Sequence, residues 1–222
     1  MSHTGEHIKE ITASLPEGIT LVAVSKFHPA GAVAEAYAAG QRVFGESRVQ
    51  ELCAKKEQLP DNIEWHFIGT LQSNKVKYIA PFIGLIHSVD SLKLLAEIDR
   101  QAARCGRVID LLLEFHIAEE STKHGLSPGE CAALLNNDAV KGMKNIRVRG
   151  VMGMATFTDN NEQIRREFQT LKRCFEALKQ HYFVHSESFD TISMGMSDDY
   201  PLAIAEGSTM IRVGSKIFGD RA

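Results

Sequence analysis

Thr20–His28 reads TLVAVSKFH, and its opening run of Leu21, Val22, Ala23 and Val24 decides the fold. An unbroken apolar run with β-branched members is a strand covered on both faces, as in a parallel sheet. Pro29 stops it, and Lys26 sits at its C-terminal lip. Low-dielectric surroundings there disfavour the ammonium and favour the free amine, which a Schiff-base lysine requires. A lysine that snorkels from the strand end into water satisfies the same pattern, so this stretch alone leaves both roles open.

Working outward, a helix over His7–Leu15 precedes the strand and ends at Pro16 and Gly18. Beyond the strand, helices and strands alternate. The spacing predicts helices over Ala30–Ala39, Val49–Leu59, Lys75–Ala80, Ser91–Cys105, Pro128–Leu135, Asn161–Tyr182 and Tyr200–Glu206. Between them fall strands over Arg42–Glu46, Glu64–Gly69, Gly84–Val89, Ile109–Ile117, Ile146–Met154, Thr191–Met196 and Thr209–Val213. Ser91 and Ser127 are the expected N-caps of their helices. Strict alternation requires parallel strands joined by right-handed crossovers, and eight such steps in this length predict a closed barrel. The expected fold is an α/β single-domain (β/α)8 TIM barrel over residues 1–222. An open doubly wound sheet is the alternative, but no GxGxxG turn follows the first strand.

The chain has 222 residues, 44% hydrophobic and 24% charged, with a formal charge of −3. That balance supplies no basic field for nucleic acid. No stretch has the unbroken apolar length of a membrane span, and the amino terminus lacks the basic-then-apolar pattern of a secretory signal. A cytoplasmic protein is expected. Cys53, Cys105, Cys131 and Cys174 form no CxxC pair and are expected as four buried thiols. His66, His87 and His116 lack metal-ligand spacing, so barrel histidines satisfied by neighbours, and no metal, are expected.

In such a barrel, functional groups collect at the C-terminal strand ends, and the loops after strands seven and eight commonly hold phosphate. Strand seven runs into Ser193-Met194-Gly195-Met196-Ser197-Asp198-Asp199, and strand eight into Arg212-Val213-Gly214-Ser215. Small residues, hydroxyls and exposed backbone N–H groups suit an anion; ordinary turns would also use them. A reactive Lys26 with a phosphate cradle is the pattern of a pyridoxal phosphate site. Arg212 would then face the pyridine nitrogen and keep it unprotonated, or else pair internally with Glu46 or Glu114. Ser88, near the lip of strand four, would face the ring or cap the next helix.

The segments VAVSK with Lys26, FGE with Glu46, His66 to Lys75 (HFIGTLQSNK), SMGMSDD from Ser193 and EGSTMIRVGSKIFG from Glu206 resemble the YggS/PROSC family of pyridoxal-phosphate homeostasis proteins. The resemblance runs from about Leu21 to Gly219. It implies a barrel of the alanine-racemase N-terminal type, fold type III among pyridoxal-phosphate proteins, with Lys26 carrying the cofactor as an internal aldimine. It also implies Arg212 at the pyridine nitrogen and Ser197, Gly214 and Ser215 at the phosphate, with Met196 a further cofactor-binding candidate. Where the family reads FGENYVQE this chain has FGESRVQE, so Ser47 replaces an asparagine near the cofactor and Arg48 a tyrosine. His124 replaces the serine of a Lys-Ser-Gly ending at Lys123-His124-Gly125, and Met154-Ala155-Thr156 stands where a proline is usual.

The resemblance implies a non-catalytic carrier that keeps free pyridoxal phosphate low and delivers it to apo enzymes. A pyridoxal-phosphate-dependent racemase is the first alternative. It would need an acid or base opposite the lysine, and Tyr37, Tyr78, Tyr182 and Tyr200 all fall on predicted helices, with no β-rich second domain before Ala222. A cofactor-free Schiff-base aldolase, drawing on Glu46 or Glu114, is the second. Without a dimerising domain, a monomer is expected.

Overall fold

Leu21 to Val24 are all buried, because β1 (Thr20–Val24) lies between two parallel neighbours and beneath helices. The computed structural model describes residues 3–120 and 124–219. Among them, α1 (His3–Ser14) leads into β1, followed by α2 (Ala30–Ala38), β2 (Val43–Glu46), α3 (Val49–Gln58) and β3 (Glu64–Phe67). Then come α4 (Val76–Ile79), β4 (Leu85–Val89), α5 (Leu92–Arg104), β5 (Ile109–Phe115), α6 (Pro128–Asn136), α7 (Asp138–Lys141) and β6 (Ile146–Gly153). The last elements are α8 (Asn161–His181), β7 (Thr191–Ser193), α9 (Tyr200–Ala205), β8 (Met210–Val213) and α10 (Ser215–Phe218).

The strands pair in chain order and β8 closes onto β1, with Thr20 opposite Met210 and Ala23 opposite Val213. The expected (β/α)8 barrel is what forms. Local signals place the helices: Ser91 accepts from the Leu94 N–H, and Ser127 and Glu130 form a capping box that opens α6. Lys75 belongs to a 3-10 turn, Ser73–Lys75, that leads into α4.

Period-two alternation divides each strand between two cores. The larger core lies outside the barrel and includes Phe44, Trp65, Phe67, Phe168 and Phe189. A small apolar cluster of Val22, Leu85, Leu112, Met152 and Met210 fills the lumen. Two residues further along the same strands come His87, Glu114 and Arg212, all buried. The lumen therefore turns polar toward its C-terminal mouth.

β1 ends with its apolar run at Val24, and β7 ends at Ser193, short of the expected Met196. Phe27 takes φ 70° just beyond Lys26, and Gly195 takes φ 95° after β7, so neither chain can stay extended. The expectation of four buried thiols is corrected: Cys131 is buried, Cys53 and Cys174 are half-buried, and Cys105 is exposed beside the C-terminus of α5.

A Cβ on Gly195 would stand 2.6 Å from the Ala203 side chain and 3.0 Å from the Tyr200 Cα, in a backbone region that favours glycine. Gly195→Ala is expected to lower stability by about 1–3 kcal/mol, measured by urea denaturation; an unchanged midpoint would show that the turn relaxes freely.

Candidate functional site

A pocket of about 480 Å³ opens at the C-terminal mouth of the barrel. Lys26, Met196, Ser197, Arg212, Gly214 and Ser215 all line it, with Ile68, Met154 and Phe157 as apolar wall. Six of the eight residues singled out in the sequence thus meet in one cavity. Ser88 does not join them; its buried hydroxyl donates to the Gly69 carbonyl. Ser47 also stands off the pocket wall and packs against Gly69, where an added Cβ would lie 2.8 Å from its own. Both serines shape the loop after β3. Lys123 lies outside the described residues, and His124 is exposed.

The turn bearing Lys26 is held from beneath by a buried ammonium that the sequence reading missed. Lys55 Nζ, from α3, donates to the Ser25 carbonyl at 2.7 Å, to Glu46 Oε1 at 2.6 Å and to Glu51 Oε1 at 2.7 Å. The Ser25 hydroxyl donates to the same Glu46 oxygen, and the Phe27 N–H donates to Glu51 Oε1 at 2.6 Å. These bonds fix the backbone on both sides of Lys26 and hold Phe27 in its left-handed conformation, which costs a non-glycine residue about 1–2 kcal/mol. Arg48, where the family resembled has a tyrosine, stacks its guanidinium 4.7 Å above the Phe27 ring. Burial pushes the Glu46 carboxyl up against the opposing pull of Lys55 and Ser25.

Arg212 does not pair with Glu46, which belongs to Lys55. Its NH1 group donates to the Ser193 carbonyl at 2.9 Å and to the Ser193 hydroxyl at 2.6 Å; its NH2 group donates to the Gly153 carbonyl at 3.1 Å. Three of its five N–H donors are used, which leaves two for a ligand. Burial lowers the guanidinium to about 10, opposed by Asp199 and Glu114, so it stays charged at neutral pH. Glu114 is pushed up to about 7 by burial and then by Asp90, with Arg212 pulling the other way.

The two loops expected to hold phosphate meet across the pocket edge. Gly214 N–H donates to Ser197 Oγ at 3.2 Å, and Asp199 accepts the Met196 N–H at 2.5 Å. Ser208 lies beneath them, its hydroxyl directed at the Met194 and Met210 carbonyls, where it ties β7 to β8. His66 and His87 are buried and hydrogen bonded to each other at 3.0 Å, as expected of barrel histidines with satisfied neighbours. None of the four tyrosines lines the pocket. Tyr37 bonds Asn62, and Tyr182 bonds Asn136.

Lys26, the buried Arg212 guanidinium and the loops after β7 and β8 thus share one partly apolar cavity. The alanine racemase N-terminal domain model matches residues 2–222. The pyridoxal phosphate homeostasis protein of Aquifex aeolicus is 39% identical over 202 residues, covering 90% of this chain and 86% of its own. The structure of PipY from Synechococcus elongatus PCC7942 with pyridoxal phosphate bound has a TM-score of 0.88 at 38% identity, covering 97% of this chain and all of that one. The chain belongs to the pyridoxal phosphate homeostasis proteins of the alanine racemase N-terminal domain family. Alanine racemase from Streptomyces coelicolor, with a TM-score of 0.78 at 16% identity and covering 98% of this chain and 57% of that one, shares the fold.

Glu114 sets a pH dependence. Its folded-state value of about 7 lies above its ordinary 4.5, so in that window the folded chain keeps a proton that the unfolded chain releases. Stability therefore falls as pH rises through the window, by on the order of 3 kcal/mol in the limit. Glu114→Gln is expected to flatten this loss. Urea midpoints at about pH 5 and about pH 8 check it; a parent-like slope in the variant would remove Glu114 as the cause.

Proposed function

We propose that the protein binds pyridoxal 5'-phosphate through Lys26 and serves vitamin B6 homeostasis, delivering the cofactor to apo pyridoxal-phosphate enzymes without turnover of its own. The observation that carries this is the convergence of Lys26, Arg212, Ser197, Gly214 and Ser215 on one pocket. The donor set fits the group: an amine for its aldehyde, backbone N–H groups and hydroxyls for its phosphate, and spare guanidinium donors for its ring nitrogen. When bound, the cofactor supplies a reactive aldehyde on an electron-withdrawing ring. Arg212, which only donates hydrogen bonds, would hold the ring nitrogen unprotonated and so weaken that electron withdrawal. The clamp around Lys55 fixes the turn at Lys26 before the ligand arrives, which lowers the ordering cost of binding.

The bound form of PipY supports this reading. No helix among the described residues is long and apolar enough to cross a membrane. A monomeric cytoplasmic protein acting as one domain over residues 1–222 completes the proposal. A second reading, weak pyridoxal-phosphate-dependent turnover of amino acids, rests on Glu114, a buried carboxyl beside Arg212 that titrates near neutrality. The aldolase reading loses one of its two carboxylates, because Glu46 is held by Lys55.

Addition of pyridoxal phosphate is expected to give a visible band that borohydride traps as an adduct on Lys26, located by mass spectrometry. Lys26→Ala is expected to lose the band yet keep phosphate-anchored binding, weakened roughly tenfold or more. No band, or an adduct scattered over surface lysines, would sink the proposal. An amino-acid turnover assay on the loaded protein separates carrier from enzyme.

A further inference from the structure

A line of hydrogen bonds leaves Arg212 and crosses the barrel to its opposite mouth. Arg212 NH1 donates to Ser193 Oγ at 2.6 Å, Ser193 Oγ meets His87 Nδ1 at 3.0 Å, His87 Nε2 meets His66 Nδ1 at 3.0 Å, and His66 Nε2 meets Glu64 Oε1 at 3.0 Å. Ser193, His87 and His66 are buried, whereas the Glu64 side chain is 57% exposed. Glu64 and His66 line a second pocket of about 490 Å³ at the N-terminal mouth, together with Asp110, Arg149 and Asp190. The chain of bonds thus links two cavities through the protein interior.

With neutral rings between them, the ends of this chain set its direction. A guanidinium can only donate and a carboxylate can only accept. Glu64 is held below the usual carboxylate range, first by the bond from His66, with Arg149 adding to the effect and Asp110 opposing it. His87 is held well below the usual imidazole range, first by burial and then by the charges of His66 and Arg212, so it is a neutral ring with one N–H. Ser193 Oγ accepts from Arg212, and with His66 also a neutral ring its hydroxyl proton finds its acceptor at His87 Nδ1. His87 must then donate from Nε2 to His66 Nδ1, and His66 must donate from Nε2 to Glu64.

We propose that Ser193, His87, His66 and Glu64 form a one-way wire that positions Arg212, and that a change at the N-terminal mouth is read at the cofactor end of the barrel. The sense of the wire keeps the lone pairs of Ser193 turned toward Arg212. Were it reversed, Ser193 Oγ would accept from both His87 and Arg212 while its own proton lost its acceptor, which weakens the 2.6 Å bond it accepts from the guanidinium. A group that can only donate in place of the Glu64 carboxylate would produce this reversal, because His66 Nε2 would then have to accept. The spectral part of the proposal rests on the reading that Arg212 faces the pyridine nitrogen; the tautomers do not.

Glu64→Lys and Glu64→Gln test the wire at its exposed end, where folding is least at risk. The Gln carbonyl still accepts, whereas the Lys ammonium can only donate. Long-range 1H–15N NMR of the histidine rings in ligand-free protein should show Nε2–H tautomers for His66 and His87 in the parent and in E64Q. In E64K both should switch to Nδ1–H. In the same variant, pyridoxal phosphate should bind roughly three- to tenfold more weakly, about the loss of one hydrogen bond, with a displaced visible band, while E64Q matches the parent. An Nδ1–H tautomer at His87 in the parent, or unchanged tautomers in E64K, would overturn the wire. Switched tautomers with unchanged affinity and band would overturn its coupling to the cofactor. A parent that gives no band at all would instead refute the cofactor reading, with the NMR still deciding the wire.

Discussion

A guanidinium buried in the lumen of a barrel is tolerated only when its donors and its charge are both answered, because a desolvated ion without partners costs several kcal/mol. Arg212 meets that condition with two backbone carbonyls, the Ser193 hydroxyl and the field of Asp199 and Glu114. Much of the C-terminal half of the lumen follows from it. The Gly153 carbonyl is available because β6 ends there, and Ser193 is inward because β7 keeps the same alternation as β8. The apolar cluster of Val22, Leu85, Leu112, Met152 and Met210 separates this polar layer from bulk water at the other mouth. Ser193, His87 and His66 pass alongside that cluster, so the polar layer is sealed by packing and connected by hydrogen bonds at once.

Lys55 is the second buried cation, and it answers a different need. The turn at Lys26 includes a non-glycine residue at positive φ, a conformation that persists only where surrounding bonds over-determine it. The three bonds that Lys55 donates and the bond from the Phe27 N–H to Glu51 provide that over-determination. Two carboxylates around one ammonium leave excess negative charge, and burial raises the Glu46 carboxyl in response. The strain at Phe27 and the ionic cluster beneath it are therefore two parts of one device that aims Lys26.

Much of this was legible in the sequence for a physical reason. Burial on both faces leaves a continuous apolar run, and the Ser91 and Ser127 caps mark where helices begin, so the alternation of the barrel could be read directly. The loops at Ser197 and at Gly214-Ser215 were readable because they follow strands seven and eight, where a barrel commonly holds phosphate. Lys55 was not readable, since Glu51 and Lys55 stand four apart on α3 and look like an ordinary exposed helix pair; only β2 and the Ser25 carbonyl bury it. His87 and Ser193 are 106 residues apart, and no local pattern announces their bond. Ser47 was placed near the pocket by the resemblance and Ser88 by its position on strand four, yet Ser47 packs where Gly69 lacks a side chain and Ser88 donates to the Gly69 carbonyl.

The two anchors of the pocket are built on separate supports, and this bears on holding against transforming a ligand. Lys26 depends on the Lys55 cluster below β1 and β2, while Ser197, Gly214 and Ser215 depend on the junction of β7 and β8. A group joined to both can leave one while retained by the other, so exchange need not pass through a fully unbound state. Turnover would demand more: a proton donor or acceptor aimed at the reacting atoms. Of the carboxylates on the barrel strands, Glu46 is committed to Lys55, and Glu114 sits where Arg212 draws on its charge whenever it ionises. Each proton Glu114 gains or loses is thus balanced against the guanidinium, which ties its titration to the hold on Arg212.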